Sequence, residues 1–321
     1  MSEPRSDTAS PFDSIRTERP KTVWLALLTA ILAVSTASVF IRFAQRDAPS
    51  LVIAALRLTF AAVLLAPIAL TRHRGELKSL TRNEIILGTV SGLFLAIHFG
   101  TWISSLEYTS VASSVVFVST GPLWVALLSP VLLDERLTRA AILGLALALF
   151  GGTIIGLSDA CTWDGGLRCP ELDQVMQGRA MWGNFLALAG AWAVSGYLII
   201  GRRLRGTRSV SLIPYIFVVY GMAAVGLLAA MFISGETPLG HPPQAYLWIF
   251  LLAAFPQLIG HSTYNWALRY IPASFVAITT LVEPVGSAIL AYFILRETPT
   301  GGVLLGGLLI LIGIYLASRP E

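Results

Sequence analysis

The stretch from Tyr108 to Ile155 occurs twice in this 321-residue chain: moved by 162 positions, it falls on Tyr270 to Ala317 without a gap. Twelve of the 48 aligned positions are identical. In a Leu-, Ala- and Gly-rich sequence roughly half of those arise by chance, so the identity of the coinciding residues decides more than their number. Pro122 falls on Pro284, Glu135 on Glu297, Thr138 on Thr300, Gly144 on Gly306 and Gly151 on Gly313. Each copy is an apolar run with a proline inside it, a Leu-x-Glu end, a short turn and a second apolar run. Repetition on this scale means two homologous halves packed against each other.

The medium follows from composition. Hydrophobic residues make up 55% of the chain and charged residues 12%, with a mean hydropathy of +0.73. Soluble domains carry about 25% charged residues, so the chain reads as an integral membrane protein. About ten apolar runs of ~20 residues fit in the length, each enough to cross a ~30 Å hydrocarbon core as a helix. Lipid admits only helices and closed barrels, and the runs lack the alternation of barrel strands. The fold class expected is therefore all-α, ten transmembrane helices in two five-helix repeats. The net charge of +4 does not point to nucleic acid, because the basic residues sit in short loops between spans, where they set topology. The expected partners are the lipid bilayer and a small-molecule substrate. Monomer and homodimer both stay open, and no cofactor is expected.

In order, residues 1–21 are a polar tail, expected to be disordered and cytoplasmic. The first repeat covers 22–157, with spans at 22–44, 50–70, 83–104, 111–133 and 138–157. A loop at 158–179 holds both cysteines, Cys161 and Cys169. The second repeat covers 180–317, with spans at 180–201, 209–233, 245–268, 273–295 and 299–317. With the N-terminus inside, the inner segments hold 16 Lys and Arg and the outer segments five. That bias puts both termini in the cytoplasm, and the compact length and sparse cysteines fit a prokaryotic plasma membrane. The bias also puts Cys161 and Cys169 outside, where a disulfide can form and persist; two free thiols in the loop are the other reading. Five spans per half is an odd number, so the halves enter the membrane from opposite sides. This is an inverted-topology repeat, a construction that secondary transporters use for alternating access.

Gly121-Pro122 through Leu133-Asp134-Glu135, with Leu281-Val282-Glu283-Pro284 through Leu295-Arg296-Glu297, resembles the EamA-type transporters of the drug/metabolite transporter superfamily. Ala55-Leu56-Arg57-Leu58 and Ala267-Leu268-Arg269-Tyr270 add to the likeness, which runs from Thr22 to Ala317. The resemblance implies ten helices, cytoplasmic termini and a central cavity built from spans one to four and six to nine, with five and ten supporting. It also implies export of amino acids or other metabolites. Span one departs from the family by lacking a Trp-Gly pair, and the long cysteine-bearing loop is unusual in it.

Ionisable groups within spans are costly in lipid and so are functional candidates. Glu283 lies about ten residues, or ~15 Å, into span nine, and suits proton coupling; a Glu permanently bonded to a neighbouring helix is the alternative. His98 and Trp102 share a face of span three, one turn apart. Gln257, His261 and Tyr264 or Asn265 make a similar stripe on span eight. One residue of slippage in the repeat sets His98 opposite His261, which suits two histidines lining one cavity, or bridging helices as packed groups. Arg57 suits a substrate carboxylate, or else bonds to carbonyls or to Glu107. Trp192, Tyr197 and Tyr220 offer aromatic walls with polar handles, or plain packing. Glu135 and Glu297 read as structural, each pairing with a nearby Arg (Arg136 or Arg139; Arg296) or capping the next helix at Thr138 or Thr300.

The function that fits best is a secondary transporter exporting a small metabolite such as an amino acid. An exporter of drug- or lipid-like compounds is the runner-up. An enzyme is not expected, with no His-Glu-x-x-His, no Gly-x-Ser-x-Gly and no paired Asp; without a Walker A stretch, any drive comes from an ion gradient or the substrate's own gradient.

Overall fold

The computed structural model describes residues 22–132, 139–160, 162–163, 167–168, 178–207, 210–270, 276, 279–280 and 282–317. In chain order the helices are α1 (Val23–Ala44), α2 (Ser50–Arg72), α3 (Arg74–Ser79), α4 (Arg82–Ser105), α5 (Val111–Val118) and α6 (Gly121–Leu132). Then come α7 (Arg139–Ala160), α8 (Arg179–Gly206), α9 (Leu212–Ile233), α10 (Pro243–Ala267), α11 (Val282–Leu295) and α12 (Gly301–Ala317). Among the described residues six of these, α1, α2, α4, α8, α9 and α10, are long and apolar enough to cross a membrane, and four further apolar segments are shorter. The expected spans four and nine run into residues 133–138, 271–275, 277–278 and 281, which lie outside the described residues. Cys161, Cys169, Glu135 and Thr138 lie outside them too. Between Cys161 and Cys169 a two-residue antiparallel ribbon pairs Thr162 with Arg168 and Trp163 with Leu167.

Local chemistry breaks the rods where the sequence is polar or carries proline. In α1, Ser35 Oγ bonds to Ile31 O at 2.8 Å and Thr36 Oγ1 to Ala33 O at 2.7 Å, and the helix is interrupted at Thr36. Thr81 and Glu84 close a capping box at the start of α4. The α5–α6 rod breaks at Ser119 and Thr120, just before Gly121-Pro122. Pro256 sits inside a nine-residue π-helical stretch of α10, Ala253–His261.

The two repeats are visible in the packing. α1 lies on α10 and α4 on α8; α2 lies on α9, α7 on α12, α11 on α1, and α5 and α6 on α8. Exchanging each helix for its repeat equivalent (α1 for α8, α2 for α9, α4 for α10, α5–α6 for α11, α7 for α12) maps this set onto itself. The α7–α12 crossing is the tightest of these contacts. A Cβ at Gly306 would stand 2.4 Å from the carbonyl oxygen of Gly151, and one at Gly313 equally close to that of Gly144, so the helices meet backbone on backbone. The core is centred on α2, α4 and α9, while Leu25, Leu32, Ile233 and Phe293 face outward. An apolar exterior around a partly polar interior is what a lipid solvent selects.

Side-chain ties close the two ends of the bundle. At one end Arg42 of α1 pairs with Glu297 at 3.1 Å and donates to the carbonyls of Leu106 and, at 3.0 Å, Thr109. Glu297 also accepts from Val111 N at 2.9 Å, so a carboxylate of the second repeat caps α5 of the first. The expected partner, Arg296, is not used; it turns the chain in the left-handed region at φ 61°. At the other end Glu76 of α3 accepts from Ser211 N at 2.8 Å and from Ser211 Oγ. Arg202 donates to Leu268 O at 2.6 Å. Arg205, expected in a solvated loop, is buried instead: α8 continues through a π turn and carries it in to donate to Asn265 O and Val210 O.

Candidate functional site

A cavity of about 70 Å³ lies where α4, α8, α10 and α11 meet the α5–α6 break. Its polar side chains include His98, Trp102, Tyr197, His261, Tyr264 and Glu283; its apolar ones include Val118, Val194 and Leu198. Its volume is under half the ~150 Å³ of a cavity that holds benzene. The lining comes from both repeats in register. Trp102 and Tyr264 are 162 positions apart, as are Val118 and Thr280, and Gly121 and Glu283. His98 and His261 are 163 apart, the slippage expected from sequence. The cavity therefore sits where the two halves face each other.

His98 has an identifiable mooring on α8. His98 Nδ1 lies 3.0 Å from Gly190 O on α8. A carbonyl only accepts, so Nδ1 donates to it. The ring stacks on Trp102, with centroids 5.8 Å apart and 18° between planes, and stands 6.4 Å from His261. The close approach at Gly190 makes this possible, since a Cβ there would fall 3.3 Å from Trp102 Cβ and from His98 O. Trp102 Nε1 and Tyr264 Oη are buried without a hydrogen-bond partner among the described residues. Glu283 is the one carboxylate on the lining among those residues, and neither ion pair found among them involves it.

The structure divides the residues singled out in the sequence into two sets. His98, Trp102, Tyr197, His261, Tyr264 and Glu283 share the cavity. Gln257, Asn265, Tyr220 and Arg57 lie behind it as a brace. Gln257 Oε1 accepts from Arg57 Nε at 3.1 Å. Asn265 Nδ2 donates to Tyr197 Oη and to His261 O. Tyr220 Oη meets Ser262 Oγ at 3.2 Å. The stripe expected on span eight assumed a regular α-helix; the π stretch around Pro256 shifts its phase, so His261 and Tyr264 face in while Gln257 turns toward α2. Trp192 is displaced furthest from its expected place: it is 49% exposed and packs edge-on against Phe94, away from the cavity. Glu107, the expected alternative partner of Arg57, accepts from Ser50 Oγ.

Sequence reasoning missed Phe99, Ser119, Gly121, Pro122 and Thr280. The 162-residue shift applied to Glu283 and Pro284 would have found Gly121 and Pro122 at once. Among the described residues no three His, Cys, Asp or Glu side chains gather to hold a metal.

Fold and site together define a polytopic membrane protein of two pseudo-symmetric helical repeats around an internal, mostly apolar cavity that carries a few polar groups. The chain belongs to the EamA-like transporter family, whose model matches residues 21–157 and 181–319; EamA is part of the drug/metabolite transporter superfamily. An uncharacterized transporter of Archaeoglobus fulgidus is 25% identical over 92% of this chain and 95% of its own length. An uncharacterized transporter of Synechocystis is 28% identical, over 75% and 68% respectively. A solved crystal structure shares the fold with a TM-score of 0.62 and 22% identity, over 92% of this chain and 96% of the other.

Proposed function

We propose that this chain is a secondary transporter of the plasma membrane that exports a small metabolite, an amino acid foremost, by rocking its two repeats about the shared cavity. Ten spans in two inverted five-helix halves (22–157 and 180–317), both termini cytoplasmic, belong to this reading. The observation that carries it is the register of the lining: equivalent positions of both repeats meet at one small cavity. Inverted-repeat carriers put their sites at such a place. Glu283 is the proton-coupling group, because it is a carboxylate on the cavity wall that either a proton or a substrate cation can occupy. The cavity is smaller than a bound amino acid needs, so in this reading it widens as the repeats rock, and its mostly apolar surface favours export of drug- or lipid-like compounds as the second reading.

The test is flux in proteoliposomes of a panel of amino acids, amines and neutral metabolites, with and without a pH gradient. Wild-type protein moves at least one amino acid faster with the gradient. Glu283→Gln loses the gradient-driven part by about a hundredfold, the scale of losing one proton-transfer group, while binding survives. Flux indifferent to gradient and substitution would make this a facilitator with a structural Glu283. A disulfide between Cys161 and Cys169 belongs to the same topology. The ribbon pairs Thr162–Arg168 and Trp163–Leu167 stop one step short of the two cysteines, which supports it. Alkylation before and after reduction, read by intact mass, should add two labels only after reduction.

A further inference from the structure

Arg57, the eighth residue of α2, is fully buried, so a guanidinium cation sits inside the helical bundle. Only its Nε is satisfied, by Gln257 Oε1 at 3.1 Å. Nη1 and Nη2 have no hydrogen-bond partner among the described residues. The two ion pairs among those residues leave Arg57 out. A buried cation is tolerable where an anion or a set of acceptors meets it. Every unsatisfied atom here is a donor, so the missing group is an acceptor, and the planar fork of Nη1 and Nη2 matches the two oxygens of a carboxylate.

The position of this fork connects it with the cavity. The guanidinium lies 3.9 Å from the centroid of the Phe99 ring, which stands in turn 4.6 Å from His98 and 5.3 Å from His261, both on the lining. One aromatic ring thus separates a donor-rich seat from the cavity, and the cavity holds a carboxylate of its own, Glu283.

We propose that Arg57 and Gln257 form a carboxylate subsite for the transported solute, opened when the Phe99 ring swings aside. The solute is then an α-amino acid whose ammonium group goes to Glu283. The inference rests on the transport reading above and narrows its substrate class. Small inorganic anions offer similar acceptor chemistry, so the test separates them from the solute.

The experiment uses the full-length protein in nanodiscs and follows its melting temperature with L-leucine and L-phenylalanine, each beside its decarboxylated amine, isopentylamine or phenethylamine. Wild-type protein should bind an amino acid at least about tenfold tighter than its amine, the scale of one lost charge-assisted bond. Arg57→Gln should erase that preference, with wild-type elution volume and helical circular dichroism showing that the variant is folded; Arg57→Lys should restore part of it. The subsite is overturned if amine and amino acid bind wild type equally, if Arg57→Gln keeps the preference, or if neither amino acid binds. It is likewise overturned if replacing chloride with gluconate shifts the melting temperature while the amino acids do not. Amines or neutral solutes crossing proteoliposomes under any of these outcomes would keep the transport reading while the carboxylate subsite falls. No flux of any solute would remove the transport reading itself.

Discussion

At one end of the bundle Arg42 donates to the carbonyl of Leu106; at the other Arg202 donates to the carbonyl of Leu268, 162 positions further on. The N-terminal part of α8 lies against Tyr108 and Thr109, beside Arg42, so Arg202 at its far end is on the opposite side. The two repeats have thus kept one clasp, because it depends on local geometry they share: an Arg near the end of a first rod, and the open carbonyls at the end of a third. The contacts around each clasp differ. Arg42 has the carboxylate of Glu297 from the other repeat, which also caps α5. The Arg202 end is tied across repeats by Glu76 on Ser211, while Arg205 fastens α8 to α10 within one repeat. A symmetric scaffold is thus held by different contacts at its two ends.

That comparison can be broken or sharpened by substitution. The largest effect should come from Gly306→Leu, which forces α7 and α12 apart where no side chain fits. It touches both ends alike and should cost about 3 kcal/mol or more, read as loss of folded protein on size exclusion in detergent. If its yield and melting temperature match wild type, the crossing is looser than described. Next, Arg42→Ala should cost about 2 kcal/mol, since it strands the partly buried Glu297 and two carbonyls together. Arg202→Ala removes a carbonyl bond at the other end and should cost about 1 kcal/mol. Equal losses in melting temperature would mean that the carbonyl clasp alone matters and that the two ends are equivalent.

The smallest effect concerns pH at the Arg202 end. Burial pushes the Glu76 carboxyl up, but hydrogen bonds from Ser211 Oγ and N, together with His73, outweigh it and hold it below its ordinary value. A lowered folded value means that the Glu76 tie stabilises above the usual Glu range of ~4.3 and is lost as pH falls through the lowered value. Hydrogen exchange in α3 should therefore quicken below about pH 4, and Glu76→Gln should flatten that dependence. A profile that is the same in both proteins would show that the tie carries no load.

Much of the architecture was legible before any coordinates. The shift of 162 residues announced the two halves, and the Leu-x-Glu ends with their prolines announced the family. The same shift, with one residue of slippage, paired His98 with His261, and depth along span nine singled out Glu283. The rest was hidden for specific reasons. Trp192 shares its helix with Tyr197, yet it faces outward because the rotation of α8 against its neighbours is set by close approaches at Gly183 and Gly190. Gln257 and His261 are four apart, and in a regular helix would share a face, but Pro256 and the π stretch change the phase between them. Phe99 read as one apolar residue among many, although it is the ring between Arg57 and the cavity.

By itself the sequence determined the solvent, the repeat and the helices, because hydropathy, length and periodicity are properties of each segment taken alone. It also singled out several of the polar groups that are buried, though not Arg205. Only the tertiary structure decided what each of those groups meets. The position of a residue around its own axis is set locally, but the rotation and depth of one helix against the next is set by packing among all of them. That packing leaves Glu283 on the cavity wall, turns Gln257 and Asn265 into braces, and places the free donors of Arg57 one aromatic ring away.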